Sequence, residues 1–219
     1  MKVLVIGSTG GSGRAAVQQL LARSHEVTAF TRGVAQAFPS HPRLRIAQGD
    51  VLNEDSVLAA VVGQDAVVVT LGIRENPLRV RLWGSQRTPI DVRSAGTRNV
   101  ISAMRQAGVR RLVVQTSYGV GATRDRLGWI DGLIFSLVLK PQITDTELQN
   151  EDVVQSGLDW VLAQPVHLTD DAVADEPFLS TMGDTALMKV SRNSVGRFLA
   201  EAVEGLRFVH QQVALSGRA

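Results

Sequence analysis

The apolar run Val3-Leu4-Val5-Ile6 feeds without a break into Gly7-Ser8-Thr9-Gly10-Gly11-Ser12-Gly13-Arg14, and Ala16, Val17, Leu20 and Leu21 follow at helical spacing. That order reads as strand, glycine-rich turn and helix. Gly7 can turn the chain sharply, Gly10 lets the backbone come close to a ligand, and Gly13 lets the new helix pack tightly on the strand. The start of the helix offers unpaired N–H groups and a positive dipole end, which suit the pyrophosphate of a dinucleotide. Gly7, Ser8, Thr9, Gly10, Gly11, Ser12, Gly13 and Arg14 are therefore the first candidate binding residues. The competing reading is a plain structural turn, and the position of the glycines between strand and helix argues against it.

Composition fits one compact domain built on this start. The chain has 219 residues, 44% of them hydrophobic, which is enough for one sizeable core and too little for a second large domain. The expected domain is residues 1–219 as a single unit. Lys plus Arg number 23 against 21 for Asp plus Glu, a small surplus with no basic tract, so no nucleic-acid partner is expected. Cysteine is absent, which excludes disulfides, thiolate metal sites and cysteine nucleophiles. His25, His41, His167 and His210 show no metal-ligand spacing, so no metal is expected. The apolar run after Lys2 is too short for a signal peptide, and Leu133 to Leu139 is far short of a membrane span. A cytoplasmic protein without a membrane partner is expected. Oligomeric state leaves no trace in the sequence.

Short β-branched runs alternate with longer segments of helical period, the pattern of an α/β fold in which helices cover both faces of a doubly wound parallel sheet. The expected strands are Lys2 to Ile6, Glu26 to Thr31, Arg43 to Ala47, Ala66 to Thr70, Arg111 to Thr116 and Asp159 to Ala163. Val57, Leu58, Val61 and Val62 mark a second helix, with Asn53 as its N-cap and Glu54 and Asp55 facing the dipole. Further helices are expected from Ile90 to Ala107, stopped by Gly108, and from Pro141 to about Ser156, stopped by Gly157. The tail reads as a strand near Ala186 to Val190, a helix from about Asn193 to Glu204 and a last strand around Phe208 to Leu215.

The second strand carries the cofactor choice. In dinucleotide-binding folds an acidic residue at its end holds the adenosine ribose of NAD. Here Thr31 is followed by Arg32. A guanidinium pairs with a 2′-phosphate that a carboxylate would repel, so NADP(H) is expected in preference to NAD(H). A solvated strand-end arginine is the bland alternative, and Arg14 either assists Arg32 or lies on the outer helix face. Asp50, in Gly49-Asp50-Val51, lies near the adenine or caps the following helix. Leu71-Gly72 ends the fourth strand at the carboxyl edge, where ligands of open α/β sheets bind.

Gly49-Asp50-Val51-Leu52, Gly63-Gln64-Asp65-Ala66, Leu71-Gly72-Ile73-Arg74, Gly96-Thr97-Arg98-Asn99-Val100, Thr116-Ser117 and Pro165-Val166-His167 together carry a resemblance. So does the G-x-x-G-x-x-G spacing of the first loop. The chain resembles the NAD(P)H-binding atypical short-chain dehydrogenases/reductases, and within them the biliverdin reductase B (flavin reductase) group, over nearly its whole length. The resemblance implies that the glycine loop, Arg32, Asp50, Val51, Leu71, Gly72 and Arg74 hold the cofactor. It further implies that Thr116, Ser117, Pro165, Val166 and His167 border the nicotinamide. The chain departs from that group in the longer stretch between Gly72 and Pro89, with Arg74, Arg79, Arg81, Trp83 and Arg87, and in Tyr118-Gly119-Val120-Gly121.

Alcohol oxidation by a Tyr-Lys pair needs a lysine one helical turn beyond the tyrosine. Tyr118 is the one tyrosine, and Ala122 follows it at that spacing. Hydride transfer to a flavin, quinone or tetrapyrrole asks less of the protein, which must hold the cofactor against a planar acceptor. Ser117, His167 and Tyr118 are the polar candidates for catalysis. The expected activity is an NADPH-dependent reductase of such an acceptor. The competing readings are an NADP(H)-binding redox-sensing regulator without turnover and a protein like the sugar-nucleotide epimerases and dehydratases. In the stretch from Gly72 to Pro89, either Arg79 or Arg81 with Trp83 contacts an anionic acceptor such as FMN, or the arginines are simply solvated.

Overall fold

The computed structural model describes residues 1–33, 38–72, 88–126, 140–172 and 175–218. Arg74, Arg79, Arg81, Trp83 and Arg87 lie outside the described residues, as does the Leu133 to Leu139 run. In chain order the elements are β1 (Lys2–Ile6), α1 (Gly11–Ala22), β2 (Glu26–Thr31), β3 (Leu44–Gln48), α2 (Glu54–Val61), β4 (Ala66–Val69), α3 (Val92–Ala107) and β5 (Arg111–Gln115). A 3-10 turn (Gly121–Arg126), α4 (Lys140–Val154), β6 (Asp159–Pro165), β7 (His167–Thr169), β8 (Phe178–Ser180), β9 (Lys189–Ser191), α5 (Arg192–Glu204) and β10 (Gln211–Ser216) follow.

The main sheet has the order β3-β2-β1-β4-β5-β6-β10-β8, parallel except for the edge pair β10 and β8. This is a Rossmann-like doubly wound sheet, whose chain runs outward from β1 in one direction and from β4 in the other. The unbroken apolar run of β1 now has its reason. Val3 and Val5 join the cluster under α1 and α5, while Leu4 and Ile6 join the cluster under α2 and α3. A strand covered on both faces needs apolar residues at every position.

Local signals set most element ends. The Asn53 side chain accepts from Ser56 N–H at 2.8 Å and caps α2, as expected. Gly108 ends α3 in the left-handed region at φ 70°. The N-terminus of α3 is a different matter. Asp91 makes no side-chain cap there, and the Asp145 carboxylate on α4 accepts from the N–H groups of Arg93 and Ser94, each at 3.1 Å.

The tail departs from the expected layout. The strand expected near Ala186 to Val190 is β9, which pairs with β7 in a separate two-stranded sheet rather than joining the main one. The last strand starts at Gln211 rather than Phe208, because His210 has a positive φ of 59° and Gln211 N–H bonds back to Phe208 O. Among the described residues no helix is long and apolar enough to cross a membrane.

Candidate functional site

The carboxyl ends of β1, β2 and β4 open onto a cleft of about 620 Å³, counting its open mouth, at the point where the strand order reverses. Gly7, Thr9 and Gly10 form its floor, Thr31 and Arg32 one wall, Asp50 and Val51 the far side, and Leu71 and Gly72 the other wall. Each of these was singled out in the sequence. Thr88 and Val92 also line the cleft and were not.

The glycine loop is shaped by contacts that only glycine permits. Gly7 sits at φ +78°, and a Cβ there would stand 2.7 Å from Thr70 O. A Cβ on Gly13 would stand 2.3 Å from Gly7 O, so the close packing of helix on strand excludes any side chain. Gly10 differs, since a Cβ there would meet only Gly7 O, at 3.3 Å. Space at Gly10 therefore opens toward the cleft. Gly10 caps α1 without a side-chain acceptor, and the first turn holds no acidic residue, so its N–H groups remain suited to an anion. The buried Ser8 fastens the loop to β2 by donating to Phe30 O at 2.9 Å.

Other residues of the loop do structural work. Ser12 is buried in α1. Gly11 lies under Arg192, whose Cδ would be 2.4 Å from a Cβ at Gly11, and Arg192 pairs with Asp170 at 2.6 Å. Arg14 donates to Thr9 O at 3.2 Å and stands over the Phe38 ring.

Arg32 reaches Thr88 Oγ1 at 3.5 Å, and Thr31 Oγ1 accepts from Gly33 N–H at 3.1 Å. Asp50 does not cap α2. Its Oδ1 takes Leu52 N–H at 3.0 Å in the turn before the helix, a position closer to the chain than the cap that Asn53 occupies. Val51 is held by Asn99, which donates to its carbonyl at 3.0 Å. Gly96 on the same helix lets Leu71 and Val51 close on α3, since a Cβ there would lie 2.9 Å from each. Arg74 lies outside the described residues.

The ends of β5 and β6 make a second edge beside the cleft. Thr116 N–H donates to Ala163 O at 2.8 Å and Tyr118 N–H to Pro165 O at 3.0 Å, so Thr116, Ser117 and Tyr118 run alongside Pro165, Val166 and His167. Thr116 is buried, and its Oγ1 has no hydrogen-bond partner among the described residues. Ser117 is half-buried and donates to Tyr118 O at 3.2 Å, while His167 is exposed at the start of β7. The Tyr118 hydroxyl is buried and donates to Gly183 O at 2.9 Å. Burial raises its pKa above the usual tyrosine value, so the phenol keeps its proton.

Arg93, the second residue of α3 after Val92, gave no signal in the sequence beyond that of an ordinary helix arginine. A Cβ at Gly72 would stand 3.4 Å from its Nη2, which puts the guanidinium beside a residue that lines the cleft.

The fold and this cleft define a nicotinamide dinucleotide-binding protein. A family profile described as NAD(P)H-binding matches residues 7–205, and the chain belongs to that family. Among curated proteins, a 3-beta-hydroxysteroid dehydrogenase from Mycolicibacterium neoaurum is 42% identical over 72 residues, 33% of this chain and 19% of the relative. The match thus spans about a fifth of that relative's length. Among solved structures, a short-chain dehydrogenase/reductase from Veillonella parvula in complex with NADP superposes with a TM-score of 0.81 at 13% identity, covering 98% of this chain and 94% of that one. ChuY, an anaerobillin reductase from Escherichia coli O157:H7, superposes with a TM-score of 0.77 at 20% identity, covering 99% and 97%. At these identities the two structures share the fold with this chain.

Proposed function

We propose that this protein is an NADPH-dependent reductase that passes hydride to a planar acceptor, a flavin, quinone or tetrapyrrole. The observation that carries the reading is the meeting of Gly7, Gly10, Arg32 and Gly72 in one cleft at the reversal of strand order. In that cleft the start of α1 and Gly10 take the pyrophosphate, and Asp50 and Val51 border the adenosine. Arg32, standing where NAD-binding proteins carry a carboxylate, takes the 2′-phosphate with Thr88 beside it. When bound, the cofactor supplies the hydride.

The chain supplies position and protons. Thr116, Ser117, Pro165 and Val166 form the edge that receives the nicotinamide half. Ser117 Oγ orients the acceptor or the carboxamide, and the solvent-facing His167 ring relays a proton from water. Tyr118 plays no acid-base part, because its hydroxyl is engaged by Gly183 O and its pKa is raised by burial. The anaerobillin reductase among the structural neighbours supports a planar acceptor.

The test is NADPH oxidation, followed at the nicotinamide absorbance, with FMN, quinones and biliverdin in turn, repeated with NADH. Turnover with at least one planar acceptor and a preference for NADPH is expected. Tight NADPH binding without oxidation by any of them favours the redox-sensing regulator instead.

A further inference from the structure

The start of α3 holds a cation for which the described residues offer no acceptor. Both oxygens of Asp145 are taken up by the backbone N–H groups of Arg93 and Ser94. The same carboxylate acts on the Arg93 guanidinium only through its charge, opposing the lowering of basicity that burial causes. Nε of Arg93 is buried without a hydrogen-bond partner among the described residues. No carboxylate among the described residues forms an ion pair with it. Nη2 stands beside Gly72, which lines the cleft. A half-buried guanidinium whose Nε has no acceptor is under-satisfied, and its flat fork of donors matches a carboxylate or phosphate.

The position says which anion. The pyrophosphate belongs at the start of α1 and the 2′-phosphate at Arg32, both on the β1 and β2 side of the cleft. Arg93 stands beside Gly72, just past the end of β4, with its backbone tied to α4, the helix that leads into β6. In the sheet β4 adjoins β5 and then β6, whose ends carry Ser117 and Pro165, the edge assigned above to the nicotinamide and acceptor.

We propose that Arg93 is the specificity-determining residue for the acceptor, selecting molecules that carry a carboxylate or phosphate over their neutral analogues. The proposal rests on the reading of the cleft as a reductase site. It names a residue distinct from Arg79 and Arg81.

Two matched pairs separate the sources of the anion: FMN against riboflavin for phosphate, and biliverdin against its dimethyl ester for carboxylate. Wild type, Arg93→Met and Arg93→Lys are compared for kcat/KM with each acceptor and for NADPH affinity. Binding of each acceptor to the protein loaded with NADP+ is measured by fluorescence, independently of turnover. The wild type is expected to favour the anionic member of at least one pair by about tenfold or more, the scale of a hydrogen bond between charged groups. In Arg93→Met that ratio should fall to near one through KM, with NADPH affinity unchanged, and Arg93→Lys should restore part of it. A ratio that survives in Arg93→Met overturns the proposal, as does weakened NADPH binding with the ratio intact, which would assign Arg93 to the cofactor. If the wild type reduces none of the four acceptors, the reductase reading fails by itself, and the binding arm still decides. Tighter binding of the anionic member, lost in Arg93→Met, supports the role of Arg93. Equal binding within both pairs, or binding of none, sinks it.

Discussion

Arg32 Nη2 and Thr88 Oγ1 meet at 3.5 Å across the mouth of the cleft, joining the end of β2 to the residues that lead into α3. The pair puts a guanidinium and a hydroxyl on the same wall, the two donors a ribose 2′-phosphate needs. Arg32→Ala is expected to cost about 1.5–3 kcal/mol of NADPH affinity and to leave NADH affinity nearly unchanged. Calorimetric titration with both cofactors measures this, and equal losses for the two would remove Arg32 from the role.

The glycine loop separates binding from folding at neighbouring positions. Gly10→Val puts its branch into space that opens toward the cleft, so NADPH binding should be lost while circular dichroism reports an intact fold. Gly13→Ala should lose stability by about 1–3 kcal/mol or more, the cost of overpacking, because its Cβ would meet Gly7 O at 2.3 Å and Ser8 Cα at 2.9 Å. Retained NADPH affinity in a folded Gly10→Val protein would overturn the assignment of this loop.

Tyr118 tests whether the fold or the chemistry uses the phenol. With its hydroxyl donating to Gly183 O, Tyr118→Phe should lower stability by about 0.5–1.5 kcal/mol and leave kcat close to that of the wild type. The pH dependence has a definite sign. The folded-state pKa is raised above 10.0, so the unfolded chain loses its proton first as pH rises, and stability falls once pH passes the ordinary tyrosine value. Denaturation midpoints of the wild type should show that fall from about pH 10 upward. The Phe variant should lack this contribution. A large drop in kcat in Tyr118→Phe would restore a catalytic role.

Asp145 is expected to act as a cap supplied from another helix. Asp145→Ala leaves two N–H groups of α3 without their acceptor and should cost about 0.5–2 kcal/mol of stability, as removal of an N-cap side chain does. Asp145→Asn keeps one acceptor oxygen and should fall between. Urea midpoints with an unchanged slope are the measurement, and equal stability of the Ala variant and the wild type would show that the helix start has other acceptors.

The glycine loop, the alternation of β-branched runs with helical segments, Asn53 as a cap and Gly108 as a stop were all legible in the sequence, because each rests on neighbours along the chain. Strand period, glycine torsions and cap chemistry are local properties, and β1 and β2 fall on the expected residues. So was Arg32, since the end of the second strand follows directly from where the glycine loop begins. β7, β8 and β9 were misplaced or missed because three residues carry no readable period, and only pairing with distant strands makes them strands. The tertiary structure alone placed Thr88 beside Arg32, 56 residues away, and Asp145 on Arg93, 52 residues away. It also engaged the Tyr118 hydroxyl with Gly183, 65 residues on. Contacts of that separation are made by the winding of the sheet and leave no mark on the residues beside either partner. An arginine near the start of a helix reads as a solvated one, and only the folded chain brings the Arg93 guanidinium to Gly72 with its Nε buried.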